Sequence, residues 1–208
     1  MNLLVVGGGG REHAIIKKLK ENPAVTDIFC MPGNGAIAYD ATCVPIGAME
    51  LDEMASFAQK NNIDFAVVGP DDPLANGAVD RLLALGIPVF GPEANAALIE
   101  GSKVFAKELM KKYNIHTAEY EVFDAASAAM DYIKAKDRFP VVIKADGLAL
   151  GKGVIIAENL AEAEQGVRTI MTDRIFGDSG NRVVIEEFLQ GPEVSVLAFT
   201  VSKSMVPM

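Results

Sequence analysis

The stretch Val141-Val142-Ile143-Lys144-Ala145-Asp146-Gly147-Leu148-Ala149-Leu150-Gly151-Lys152-Gly153 joins a strand, two lysines and a glycine-rich turn. Val141, Val142 and Ile143 are β-branched and apolar, so they predict a buried strand that leaves Lys144 at its end. A second strand begins at Gly153. Between them, Gly147, Gly151 and Gly153 let peptide N–H groups approach an anion without interference from a Cβ, while Lys144 and Lys152 supply charge. The pattern suits phosphate. Taken alone it also fits a solvated hairpin tip with two surface lysines, so the neighbouring stretches have to decide between the two.

The 208 residues are half apolar, enough for two modest cores. The formal charge of −9 comes without any basic run interleaved with aromatics, which argues against nucleic acid as a partner. An anionic ligand must then be held by a local cluster in a small pocket. Cys30 and Cys43 are the only cysteines and read as buried thiols of a reducing compartment. The apolar run at the start breaks into four glycines, and no stretch approaches the ~20 apolar residues of a membrane span. A cytoplasmic, membrane-free protein is expected.

Residues 1–100 alternate strands and helices. Leu3–Val6 reads as a buried strand, Gly7–Gly10 as a turn, and Arg11–Glu21 as a helix. Strands follow at Asp27–Met31, Asp64–Val68 and Ile87–Phe90, with helical stripes around Leu51–Ala58 and Val79–Leu83. This order predicts a doubly wound parallel sheet, with ligands beyond the carboxyl ends of its strands. The loops there are Gly7–His13, Pro32–Gly35 and Gly69–Pro73. The first places glycine amides and Arg11 at a helix N-terminus, favourable for phosphate. A dinucleotide fingerprint fails, because its third glycine would fall on Glu12 or His13 and the acid closing the second strand is missing. His13 reads as a packing or capping residue.

Residues 101–208 predict a small α+β unit with antiparallel strands. Ser102 is a plausible N-cap for a helix from Lys103 to Tyr113, and Lys103 in its first turn calls for an anionic partner. Tyr120–Phe123 reads as an edge strand, Ala125–Lys136 as a helix, and Asn159–Glu162 as a capping box. Arg182–Leu189 reads as a strand that turns at Gly191-Pro192 and resumes at Val194–Val201 as a hairpin. Glu186 and Glu187 face opposite sides and cannot share a role. Backbone near them could pair with an adenine edge, and Glu193 could accept from ribose.

Read together, these stretches resemble the glycinamide ribonucleotide synthetase family of the ATP-grasp superfamily. The carriers are the opening Val5-Val6-Gly7-Gly8-Gly9-Gly10-Arg11-Glu12-His13, Pro32-Gly33-Asn34, Val68-Gly69-Pro70, Phe90-Gly91-Pro92, Gly101–Phe105, His116–Tyr120, Ile143–Val154 and Val184–Leu189. The resemblance implies an α/β fold: a Rossmann-like substrate domain over residues 1–100, then the first part of an ATP-grasp domain over 101–208. Within the latter it implies a lid at about 120–187 and an incomplete large subdomain.

It further implies a ligase that joins glycine to 5-phosphoribosylamine through a glycyl phosphate, using ATP and Mg²⁺ or Mn²⁺ in purine synthesis. On that resemblance Lys103, Lys144, Asp146, Gly147, Gly151, Lys152, Gly153, Glu186, Glu187, Phe188, Leu189 and Glu193 would meet ATP. Gly9, Gly10, Arg11, Asn34, Gly69, Pro70 and Asp71 would meet phosphoribosylamine. A monomer is expected, and no catalytic side chain is assigned. Where the family reads Gly-Pro-Glu-Ala-Pro-Leu, this chain has Gly69-Pro70-Asp71-Asp72-Pro73-Leu74, which puts the role of Asp71 in question. Metal ligands and the glycine site are expected beyond Met208, so residues 1–208 alone are expected to be inactive. The rival readings are another ATP-grasp carboxylate–amine ligase and a nucleotide-binding module without chemistry.

Overall fold

The computed structural model describes residues 1–149, 152–201 and 203–208. The first hundred residues form β1 (Asn2–Gly7), α1 (Gly10–Lys20), β2 (Asp27–Pro32), β3 (Thr42–Cys43), α2 (Leu51–Lys60), β4 (Phe65–Val68), α3 (Asp71–Ala75), α4 (Ala78–Ala84), β5 (Val89–Phe90) and the start of α5 (Ala94–Gly101). The five strands are parallel, in the order β3-β2-β1-β4-β5. This is the doubly wound sheet the alternation predicts.

Its two faces fill separately. Leu4, Val6, Met31, Ala66 and Val68 pack against α2 and α4 through Met54, Ala58, Val79 and Leu82. Leu3, Val5, Ile28, Cys30 and Val67 pack against Ile16 of α1 and Ile37 of a short 3₁₀ turn. Successive residues of β1 therefore serve opposite layers, as strand geometry requires. Each fully buried aliphatic side chain contributes about 1.5–3 kcal/mol to holding the layers.

The second half runs through α6 (Lys103–Lys112), β6 (Tyr120–Phe123), α7 (Ala126–Lys136), β7 (Val141–Ala145), β8 (Val154–Ala157), α8 (Leu160–Val167), β9 (Val183–Glu187), β10 (Ala198–Val201) and β11 (Ser204–Pro207). A four-stranded antiparallel sheet has the order β6-β9-β7-β8. One face, with Ile143, Ala145, Val183 and Ile185, packs under α7 and α8. Asn159 Oδ1 caps α8 by accepting from Glu162 N at 3.0 Å, and the Glu162 carboxylate accepts from Asn159 Nδ2 at 2.7 Å.

Four sequence expectations change. The strand resuming after Gly191-Pro192 does not return along β9, because β9 already has β6 on one side and β7 on the other. β10 begins only at Ala198 and pairs with β11. Asp71 starts helix α3 rather than sitting in a loop, and α5 fills a stretch with no marked apolar stripe. Cys43 is half-buried rather than buried. Cys30 is buried and its thiol is pushed up to about 12, first by burial and then by Cys43, its register partner across β2 and β3. His13 keeps its structural reading, with Nε2 2.8 Å from Asp40 Oδ2.

Candidate functional site

Helix α6 supplies one wall. Ser102 caps it, accepting from Phe105 N at 3.1 Å. Ser102 Oγ and Val104 N both donate to Asp146 Oδ1, at 2.9 and 3.2 Å, so a carboxylate from the end of β7 sits on the positive end of this helix. Arg182 Nη2 holds the other oxygen of Asp146 at 2.5 Å. With all three donors taken up from protein, Asp146 lies beneath the site as a clamp. Lys103, Ala106, Lys107 and Met110 recur at helical spacing and all line one cleft. The anionic partner expected for Lys103 is not its direct one. Lys103 Nζ donates to the carbonyl of Gly147 at 2.7 Å, while burial lowers its pKa against the nearby charge of Asp146.

The antiparallel sheet supplies the second wall. Lys144 pairs in register with Val184, and Val142 with Glu186, so Lys144 and Glu186 are diagonal neighbours on one face. Lys144 Nζ meets Glu186 Oε2 at 2.9 Å. Lys107 Nζ meets the same oxygen at 3.0 Å and also donates to Thr117 Oγ1 at 2.7 Å. The Tyr120 ring, on the neighbouring strand, has Lys107 Nζ 5.4 Å from its centre. Lys107 is a charged site residue that the sequence reading missed. Its signal was the four-residue spacing from Lys103, which places both on one helical face.

The glycine turn begins at Gly147, whose φ of +95° and closeness to Ser179 Oγ, 2.7 Å from any added Cβ, exclude a side chain. Ser179 Oγ donates to the Leu148 carbonyl at 3.0 Å. Gly153 returns to β7 by accepting from Ala145 N at 2.8 Å. The Lys152 side chain is exposed, and Leu150 and Gly151 lie outside the described residues.

The parallel sheet closes the cleft from the other side. Arg11 from the first turn of α1 and Asp71 and Asp72 from the first turn of α3 line the same cavity of about 630 Å³ as Lys103, Lys107, Lys144, Gly147, Gly153 and Glu186. Two loops that frame this side are tied by side chains. Glu12, buried, accepts from Gly9 N at 2.6 Å, and its carboxylate fills the space where a Cβ on Gly69 would stand. Asn34 Nδ2 donates to the Gly8 carbonyl at 2.7 Å, while its Oδ1 accepts from Ala36 N and Ile37 N at 2.8 and 2.9 Å. Asn34 is thus a strut between loops. Gly69 borders an adjoining groove with Arg11, and Gly9, Gly10 and Pro70 stand at the starts of α1 and α3 without lining the large cavity.

Glu187 and Phe188 fall elsewhere. Both border a second hollow of about 430 Å³ beyond the end of β9, together with Lys136 and Arg138. Glu187 Oε1 accepts from Glu119 N at 2.8 Å. The opposite facing of Glu186 and Glu187 is as the strand pattern requires: the first is buried and the second exposed. Leu189 and Glu193 are exposed. Among the described residues, no group of three or more His, Cys, Asp or Glu converges to hold a metal ion.

Residues 1–100 match the family model "Phosphoribosylglycinamide synthetase, N domain", and residues 101–208 match "Phosphoribosylglycinamide synthetase, ATP-grasp (A) domain". A phosphoribosylamine–glycine ligase of Clostridium acetobutylicum is 46% identical over 207 residues, covering 100% of this chain and 50% of that one. That of Escherichia coli O157:H7 is 45% identical over 210 residues, covering 100% and 49%. The crystal structure of phosphoribosylamine–glycine ligase from Thermotoga maritima superposes with a TM-score of 0.80 at 35% identity, over 100% of this chain and 49% of that one. A biotin carboxylase from Campylobacter jejuni, 18% identical with a TM-score of 0.73 over 91% and 45% of the two chains, shares the fold. The chain spans about half the length of the curated relatives it matches. It belongs to the phosphoribosylglycinamide synthetase family.

Proposed function

We propose that this chain carries the phosphoribosylamine-binding domain, over residues 1–100, and the first part of the ATP-grasp domain, over 101–208, of a ligase. That ligase joins glycine to 5-phosphoribosylamine, giving glycinamide ribonucleotide, ADP and phosphate. One observation carries the reading: Arg11 and Asp71 of the parallel-sheet half share a single cavity with Lys103 and Lys144 of the antiparallel half. A phosphorylated amine held by the first pair would face a triphosphate held by the second.

In this scheme the glycine carboxylate attacks the γ-phosphate, and the amine then displaces phosphate from the glycyl phosphate. No enzyme nucleophile is needed; rate comes from positioning and neutralised charge. Lys103 and Lys144 neutralise phosphate oxygens, beside Gly147 and Gly153 of the same cleft. Backbone groups between Glu186 and Leu189, where β9 leaves the cleft wall, meet adenine, and Glu193 the ribose. Arg11 pairs with the phosphate of phosphoribosylamine, and Asp71 accepts from its hydroxyls or amine. A divalent ion, Mg²⁺ or Mn²⁺, bound by oxygen ligands would offset triphosphate charge; the described residues offer no cluster for it. A monomeric, cytoplasmic enzyme belongs to the same reading.

The test is ADP release by the native polypeptide supplied with ATP, glycine and phosphoribosylamine. Release that depends on both co-substrates is expected. Release indifferent to phosphoribosylamine would overturn the assignment in favour of another carboxylate–amine ligase.

A further inference from the structure

Glu186 carries two lysines on one oxygen and none on the other. Oε2 receives Lys144 at 2.9 Å and Lys107 at 3.0 Å, while the buried Oε1 has no hydrogen-bond partner among the described residues. The two ammonium groups are held differently. Lys107 has 8% of its side chain exposed and a second tether to Thr117 Oγ1, so it has little room to leave. Lys144 is 27% exposed, borders the cleft beside Lys103, and has Glu186 Oε2 as its one polar side-chain partner among the described residues. The trio of side chains sums to one positive charge, which an anion in the cleft would balance.

A buried carboxylate stripped of its counter-charge is strongly unfavourable. If Lys144 were the sole partner of Glu186, its movement to a phosphate would strand that carboxylate. With Lys107 in place, Glu186 stays paired throughout. We propose that Lys107 is a positioning residue acting through Glu186, a standing counter-ion that leaves Lys144 free to pass from the carboxylate to a nucleotide phosphate. The inference rests on the nucleotide reading above. No covalent bond changes: Lys144 Nζ exchanges one anionic oxygen for another while Lys107 remains.

The test is ATP affinity, by calorimetry, of the native polypeptide and of Lys107→Met, Lys107→Arg, Glu186→Gln and the Lys107→Met/Glu186→Gln double variant, each shown to be folded by circular dichroism. Lys107→Met is expected to weaken ATP by about tenfold, since Lys144 is then claimed by the unpaired carboxylate. Lys107→Arg, which keeps the charge, should stay within about threefold of wild type. With Glu186→Gln already present there is no carboxylate to balance, so removing Lys107 should change affinity by less than about twofold. Equal losses in both backgrounds, or no loss in either, overturn the inference. If Lys107→Met does not fold, the double variant is compared with Glu186→Gln alone, and a difference beyond about twofold overturns it. Wild-type protein that binds no ATP removes the nucleotide reading and this inference together. Wild-type binding that is indifferent to Lys107 removes the inference alone.

Discussion

Asp146 Oδ1 lies 2.9 Å from Ser102 Oγ, 44 residues earlier in the chain. The last residue before the glycine turn thereby closes the first turn of α6 and fixes where Lys103 can reach. Asp146→Ala removes a buried acceptor of three donors, and is expected to cost about 2–3 kcal/mol of folding stability. Urea unfolding measures it. A loss below about 0.5 kcal/mol would show that the clamp is dispensable.

Lys144→Ala is expected to weaken ATP binding by ~1.5–3 kcal/mol if the lysine meets phosphate in a partly desolvated cleft. Calorimetry on the native polypeptide reads it directly. Unchanged affinity would leave Lys144 with no partner beyond Glu186.

Two glycines of the candidate site should respond oppositely to alanine. Gly147→Ala forces a side chain onto a φ of +95° and against Ser179 Oγ, which is engaged with the Leu148 carbonyl; a cost of about 1–3 kcal/mol is expected. Gly10 starts α1 with nothing within 4 Å of an added Cβ. Gly10→Ala should therefore be neutral or stabilising by up to about 1 kcal/mol. Thermal melts of the two variants decide the matter, and similar losses would refute the contrast.

Burial lowers the pKa of Lys103 in the open cleft. A phosphate beside it would raise that pKa again, so the bound state holds more protons between the two values. ATP binding should then take up protons at alkaline pH and weaken as pH rises through the value of the free protein. Calorimetry in buffers of different ionisation enthalpy checks the sign. Proton release in that range would place the phosphates away from Lys103.

Most of the fold was legible because periodicity reports burial. The β-branched runs of β1, β4 and β7 mark central strands, and the Ser102 and Asn159 caps mark helix starts. The failures share a cause. Whether the chain after Gly191-Pro192 could pair with β9 depended on β6 and β7 already flanking it, a fact of topology that no local pattern carries. In the site, Lys103 and Lys144 were readable from their turns. Lys107 looked like any surface lysine, since its burial is decided by Glu186, Thr117 and Tyr120 from later segments. Asp146 was assigned to the ligand by the family resemblance, whereas donors on α6 and Arg182 draw it inward.

The parallel sheet reverses its build direction between β1 and β4. Arg11 follows the first of these strands and Asp71 the second. The gap between guanidinium and carboxylate is therefore gauged by a pair of adjacent strands locked by Val6 and Val68 in register. Backbone hydrogen bonds hold adjacent strands about 4.8 Å apart, so the points from which both side chains set out are fixed by the main-chain ladder beneath them.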